Sequence, residues 1–272
     1  MIGAWRFLDT GAASGSFNMA LDEAILTAHA DGLVPPTIRV YAWQQPTVSL
    51  GYAQRADSRI RGREDVARLL ERCRAAGLEV VRRPTGGRAI LHHLEVTYSA
   101  AIRTSLLEEG SSIVGSYRFL CGGLVNALRS LGIAADFGDA HDDAGGAVRS
   151  TEQMCFALGS RSDLLVKGAK VVGSAQARRH GALLQHGSIP LRYDRALQGA
   201  VFGSGFRDSE ERGTITSLER EAGRAFSYQE VAAALKEGFE SLFGCPPEET
   251  GTIEAELALS RLLASEKYSV LT

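Results

Sequence analysis

Apolar residues recur along the chain at two spacings, and the switches between them mark out the elements. Phe17, Leu21, Ala24, Ile25 and Ala28 share one helical face, with Ser16 placed to cap it and Gly32 and Pro35-Pro36 to end it. Ile38, Val40 and Ala42 then alternate with Arg39, Tyr41 and Trp43, a strand pattern, and a second short strand is expected at 47–51. Val66, Leu69, Leu70 and Cys73 form the stripe of a helix stopping at Gly77, and 78–82 reads as a strand. Val96, Tyr98, Ala100 and Ile102 alternate again, whereas Ile113, Tyr117, Leu120, Cys121, Leu124 and Leu128 predict a long helix. The stretch 138–152 is polar and rich in Asp and Gly, the composition of an exposed loop. A hairpin is expected from 163–166 and 170–173 around a Lys-Gly-Ala turn, then a strand at 182–191 and helices at 227–243 and 253–267. With no linker, repeat or low-complexity tract, one α+β domain over 1–272 is the expectation.

Composition narrows the class. The chain is 44% hydrophobic and 23% charged with a net charge of −2, and carries neither a polybasic block nor an acidic tail. That balance argues against a nucleic-acid or membrane-surface partner. No apolar run reaches the roughly 20 residues of a membrane helix, and the N-terminus lacks a signal-peptide pattern, so a cytoplasmic protein is expected. Phosphate-loop, zinc-protease, serine-elbow and dinucleotide signatures are absent. His141-Asp142-Asp143 has no partners at ligand spacing and reads as solvated loop, so no metal is expected.

Two residue types matter more for chemistry. The cysteines at 73, 121, 155 and 245 form no C-x-x-C pair, which argues against a thiolate zinc site or a disulfide framework. Cys73 and Cys121 fall on apolar stripes, and Cys245 precedes Pro246-Pro247 at a helix end. Cys155 alone stands beside a polar loop and a turn-rich stretch, open to a role as nucleophile. Lysine is scarce: Lys167, Lys170, Lys236 and Lys267 stand against 26 arginines. Arginine cannot readily give up its proton, so a lysine kept in such a chain is a candidate for chemistry. Lys170, entering a strand, also reads as a solvated edge charge. In Arg83-Pro84-Thr85-Gly86-Gly87-Arg88 the paired glycines allow close backbone approach, either to a ligand or within a tight strand connection. His186-Gly187 inside an apolar strand suggests close approach by a ligand or another backbone, or else a satisfied core histidine.

Together these segments resemble the three signature blocks of the biotin/lipoate protein ligase family: residues 82–92 (Arg82 to His92), 170–176 (Lys170 to Gln176) and 184–188 (Leu184 to Ser188). The openings Trp5-Arg6-Phe7-Leu8-Asp9 and Phe17-Asn18-Met19-Ala20-Leu21-Asp22-Glu23 are similar to its lipoate branch. The resemblance covers roughly 5–245, with the signature region at about 33–245, and implies a central mixed β-sheet flanked by helices, like a class II synthetase core. It is strongest to the octanoyltransferases of lipoate assembly, which place an acyl-accepting cysteine fifteen residues before the signature lysine, as Cys155-Phe156 stands before Lys170.

What the resemblance implies is an acyl transfer in two steps. Cys155 takes octanoyl from octanoyl-acyl-carrier protein as a thioester. A lysine of a lipoyl-carrier protein, either a glycine-cleavage H protein or an E2 lipoyl domain, then accepts it as an amide. Thioester exchange is near thermoneutral and amide formation runs downhill, so no ATP or other cofactor is implied. Lys170 would favour the Cys155 thiolate and assist at the acyl carbonyl or the incoming amine. Arg83, Thr85, Gly86, Gly87, Arg88 and His92, with Gly173, Ser174, Ala175, Gln176, His186 and Gly187, are the implied substrate-binding residues. Alternatives are an ATP-dependent lipoate ligase, an octanoyl transfer between two lipoyl-carrier proteins, and a non-catalytic acyl sensor.

Overall fold

The computed structural model describes residues 2–54, 66–107, 112–137, 163–269 and 271. Its larger sheet is mixed. β1 (Arg6–Ala13) lies parallel to β2 (Thr37–Trp43) at one edge. The small sheet is built from β3 (Thr47–Leu50), β4 (Glu79–Arg82) and β5 (Ile90–His92), with β3 in the middle, parallel to β4 and antiparallel to β5. The larger sheet continues from β2 through β6 (Glu95–Arg103), and β7 (Asp136–Phe137) and β8 (Leu164–Val166) close its far edge. Between them run β9 (Ala169–Arg179) and β10 (Ala182–Pro190), so the strand order is β1-β2-β6-β10-β9-β8-β7. This is the central mixed sheet that the family resemblance implied. The expected hairpin is β8–β9, turned by Lys167 and Gly168 at φ of 50° and 84°.

The central strands β6 and β10 are covered on both faces, and their side chains divide accordingly. Tyr98, Ala100, Ile102 and Leu183 face α3 (Ile113–Ser130) and α7 (Tyr228–Phe243) in the main core. Ala101 and Leu184, one residue out of step, face α1 (Gly15–Ala30). α8 (Glu254–Glu266) packs outside α1, and α2 (Val66–Ala75) covers the small sheet. α4 (Arg195–Phe202), α5 (Ser204–Glu211) and α6 (Leu218–Ala222) follow β10; periodicity had not marked them, being each of eight residues or fewer. Among the described residues no helix is long and apolar enough to cross a membrane.

Two expectations need correction. Ser14, not Ser16, caps α1, accepting the Phe17 amide at 3.3 Å. The helix starts earlier than its apolar stripe because the Glu79 carboxylate reaches across from β4 to the amides of Gly15 and Ser16, at 3.1 and 3.2 Å. Ile113, expected on the core stripe of α3, is 48% exposed because it is the first helical residue and lies before the packed face that Tyr117, Leu120 and Cys121 supply. The loop expected at 138–152 lies outside the described residues.

Candidate active site

The segment from Arg83 to Arg88 connects β4 to β5 and so must cross over the end of β3. Two bonds hold it there: the Arg83 amide to the Leu50 carbonyl, and the Tyr52 amide to the Thr85 carbonyl, both 2.9 Å. Gly87 takes φ of 95°, and a Cβ on it would meet Arg83 Nη2 at 2.6 Å. Of the two uses open to the glycine pair, Gly87 serves the strand connection, while Gly86 and its flanking space are open to solvent.

Two buried chains, each carboxylate to histidine to hydroxyl, tether this turn. In the first, His186 on β10 contacts Asp22 Oδ2 through Nδ1 (3.1 Å) and Thr85 Oγ1 through Nε2 (2.6 Å). A carboxylate only accepts, so Nδ1 carries the proton and Nε2 accepts the Thr85 hydroxyl. Asp22 is itself held by Arg39 (2.7 Å), Ser99 (2.7 Å) and Tyr41 (3.0 Å). In the second, His92 gives its Nδ1 proton to Glu95 (2.7 Å) and accepts the Ser49 hydroxyl at Nε2 (2.8 Å). Ser49 then accepts Arg83 Nη1 at 3.0 Å, and the remaining Arg83 donors bind the Gly86 and Arg88 carbonyls. Trp43 stacks on His92 with ring centroids 4.0 Å apart. Arg83, Thr85, His92 and His186 are thus buried supports of the turn, with Gly86, Gly87 and Arg88 presented outward. Burial lowers the Arg83 guanidinium to about 10, which leaves it charged near neutrality.

The β9–β10 register brings the other two blocks alongside. Ala175 pairs with His186, Ser174 with Gly187, and Gly173 with Ser188. A Cβ on Gly187 would stand 2.6 Å from the Gly173 carbonyl and 2.7 Å from the Tyr98 ring, so the close approach expected there is by neighbouring backbone and ring. Ser174 bonds the Tyr98 hydroxyl at 2.7 Å. Gln176 turns to Gln185 (3.1 Å) and Ser116 (3.3 Å), away from the turn.

Lys170 lies over the bare Cα of Gly173, where a Cβ would meet its Nζ at 3.0 Å, and pairs with Asp163 at 2.8 Å. Burial raises the Asp163 carboxyl above its ordinary value, and Lys170 works against that rise. Lys170 and Gly173 form one wall of a cavity of about 230 Å³ that Ala89, Ile90 and Leu91, following the turn, border on another side. Glu95 and Ser188, bonded to each other, line it as well, with Tyr193, Phe202, Phe206 and Ile215. Of the expected substrate-binding residues only Gly173 lines this cavity.

Cys73 and Cys121 are buried core thiols as expected; burial pushes Cys73 up to about 11 and Cys121 higher still. Cys155, with Phe156 and the His141-Asp142-Asp143 cluster, lies outside the described residues. Among the described residues no group of three acidic, histidine or cysteine side chains could hold a metal. Sequence reasoning missed Asp22, Arg39, Glu95 and Asp163 as site residues. Asp22 carried a signal: with Asn18 it puts two polar groups four residues apart on a face otherwise filled by Leu21, Ala24 and Ile25.

These burials set a pH dependence. Burial holds His186 and His29 below their ordinary 6.5, although Asp22 pulls His186 the other way. The unfolded chain then binds protons that the native state refuses, so stability is complete above pH 6.5 and falls as pH drops below it. For Asp22 burial acts to raise the carboxyl, and Arg39, His186 and Ser99 outweigh it, so its stabilisation too is lost on acidification, at lower pH. Thermal melts should show Tm falling from about pH 6.5 downward, with a shallower fall in His186→Gln; a Tm unchanged down to pH 5 would contradict the two neutral histidines.

Comparison with known proteins agrees with this architecture. Residues 14–240 match the model of the lipoyl protein ligase A/B catalytic domain. The octanoyltransferase LipM of Kyrpidia tusciae is 42% identical, over 96% of this chain and 97% of its own. That of Symbiobacterium thermophilum is 40% identical, over 97% and 95%. Among solved structures, the bipartite lipoate protein ligase of Thermoplasma acidophilum superposes with a TM-score of 0.73 at 25% identity, over 97% of this chain and 93% of that one. A family match spanning most of the sequence, on a fold that brings its three signature blocks together, places this chain in the lipoyl protein ligase A/B catalytic-domain family.

Proposed function

We propose that this protein transfers an octanoyl group from octanoyl-acyl-carrier protein to a lysine of a lipoyl-carrier protein, by way of a thioester on Cys155. The observation that supports it best is Lys170: an ammonium at the cavity wall, over Gly173 and paired to Asp163, in a chain with few lysines. Its relatives named as octanoyltransferases favour acyl transfer over ligation. The Cys155 thiolate attacks the donor thioester, the carrier's thiolate leaves, and the charge of Lys170 favours the attacking thiolate. The acceptor amine then attacks the acyl-enzyme carbonyl; an amide forms, one amine proton is lost, and Cys155 returns as the thiol. Gly86, Gly87 and Arg88, held rigid by the two histidine chains, with Ser174 and Ala175 alongside, form the surface against which the acyl group lies. The acceptor is an H protein or an E2 lipoyl domain, and the protein works in the cytoplasm as a single catalytic domain without a cofactor.

Intact-protein mass spectrometry after mixing with octanoyl-acyl-carrier protein, without ATP, tests the covalent route. A hydroxylamine-labile octanoyl adduct is expected on the wild type and absent from Cys155→Ala. Product formed only with ATP and free octanoate or lipoate would instead assign a ligase and leave Cys155 a bystander.

A further inference from the structure

The cavity beside Lys170 has a lining that an octanoyl chain does not need. Gln198 on α4 is 8% exposed, and its backbone is bonded to Asp194. Its side-chain amide lines the cavity and makes no hydrogen bond with any described residue. An unpaired amide on a mostly buried residue calls for a polar partner, which an alkyl chain could not supply. Two hydroxyls nearby have spent their donors and kept their lone pairs: Tyr193 donates to the Thr216 carbonyl at 3.2 Å, and Ser188 donates to Glu95. Glu95 has both oxygens engaged, by His92 and Thr97 on one side and Ser188 on the other, so it does not invite a cation. What remains is the Gln198 amide, the half-buried His93 ring, hydroxyl acceptors, and apolar walls such as Phe206, with Lys170 at the edge.

That pattern fits a flexible arm of secondary amides and short methylene runs. A carrier protein presents its acyl thioester on such an arm. We propose that this cavity seats the amide-bearing arm of the acyl donor, with Gln198 hydrogen-bonded to one arm amide and the thioester end delivered to Lys170. This rests on the transferase reading above, since a ligase using free acid has no such arm. It also divides recognition: the outward face of the turn takes the acyl group, and the cavity takes what carries it.

The test compares two donors bearing the same acyl group, octanoyl-pantetheine, which has the arm amides, and the octanoyl thioester of ethanethiol, which has none. The ratio of their kcat/KM values is measured for the wild type and for Gln198→Leu, so partial misfolding cancels. The ratio should favour pantetheine in the wild type and fall about tenfold in Gln198→Leu, the effect of one buried hydrogen-bonded pair. Free pantetheine should likewise compete with the donor in the wild type and lose that competition in the variant. A ratio unchanged within about twofold would overturn the arm site. A variant effect that follows acyl chain length instead would hand the cavity to the octanoyl group. A wild type that turns over neither thioester without ATP would remove the transferase reading, and this inference with it.

Discussion

Alanine at Lys170 should lower octanoyl transfer by roughly 10²–10⁴-fold, the usual loss when one positioned charge or proton-transfer group is removed. The structure gives little reason for an accompanying loss of stability. The Lys170 side chain is 39% exposed, and its pairing with Asp163 is the kind of partly solvated contact worth little to folding. A large kinetic effect with an unchanged melting temperature would therefore identify chemistry. Arginine at this position separates the two tasks of the ammonium. It keeps the charge that favours the Cys155 thiolate but cannot pass a proton near neutral pH. Quenched-flow mass spectrometry should show acyl-enzyme forming in Lys170→Arg at a substantial fraction of the wild-type rate, with transfer to the acceptor lysine still slow. If Lys170→Ala retained transfer within about threefold of wild type, the lysine would be the solvated edge charge that its place in a hairpin also allowed.

What the sequence made legible was local. Alternation at Val96, Tyr98, Ala100 and Ile102 sufficed for β6 because its other face carries the paired polar groups of Glu95, Thr97 and Ser99, and Lys167-Gly168 announced its turn through the backbone conformation it needs. The signature blocks were legible as segments, but not as a place: Thr85 and His186 are 101 residues apart, and only the crossing of β3 and the register of β9 on β10 bring them together. β1 escaped the reading because its buried Arg6 breaks the alternation, and the partner that makes this tolerable, Glu256, is 250 residues away. Ser16 was favoured over Ser14 because nothing near either shows that Glu79 will serve the first amides of α1. The cavity is the least local feature. It takes Lys170 from β9, Ser188 from β10 and Gln198 from α4, and no periodicity in any of those elements points toward the others.

Asp22→Ala should cost about 3–5 kcal/mol of stability, the penalty for stripping a buried charge of its partner. Arg39 is fully buried; besides Asp22 it has neutral acceptors, Asn18 (2.7 and 3.0 Å) and Thr10 (2.9 Å), and it lies 3.9 Å over the Tyr41 ring. None of those can neutralise it, so removing the carboxylate leaves a cation in the core, along with unmet donors on Ser99, Tyr41 and His186. For a chain of this size the loss corresponds to a Tm lower by roughly 10 °C. Asp22→Asn should cost less, because its amide oxygen can still accept from His186 or Arg39, though not from all four donors. The kinetic consequence separates support of the site from support of the fold. Where the single amide oxygen of Asp22→Asn serves Arg39, nothing obliges His186 to keep its proton on Nδ1, and Nε2 can no longer be relied on to accept the Thr85 hydroxyl. The turn then loses one of its two tethers while the His92–Glu95 chain keeps the other. Transfer by Asp22→Asn, measured well below its own Tm, should therefore fall by about tenfold through a weakened turn, with Arg83 and Ser49 still in place. A variant that melts lower but transfers at the wild-type rate would confine Asp22 and His186 to the core.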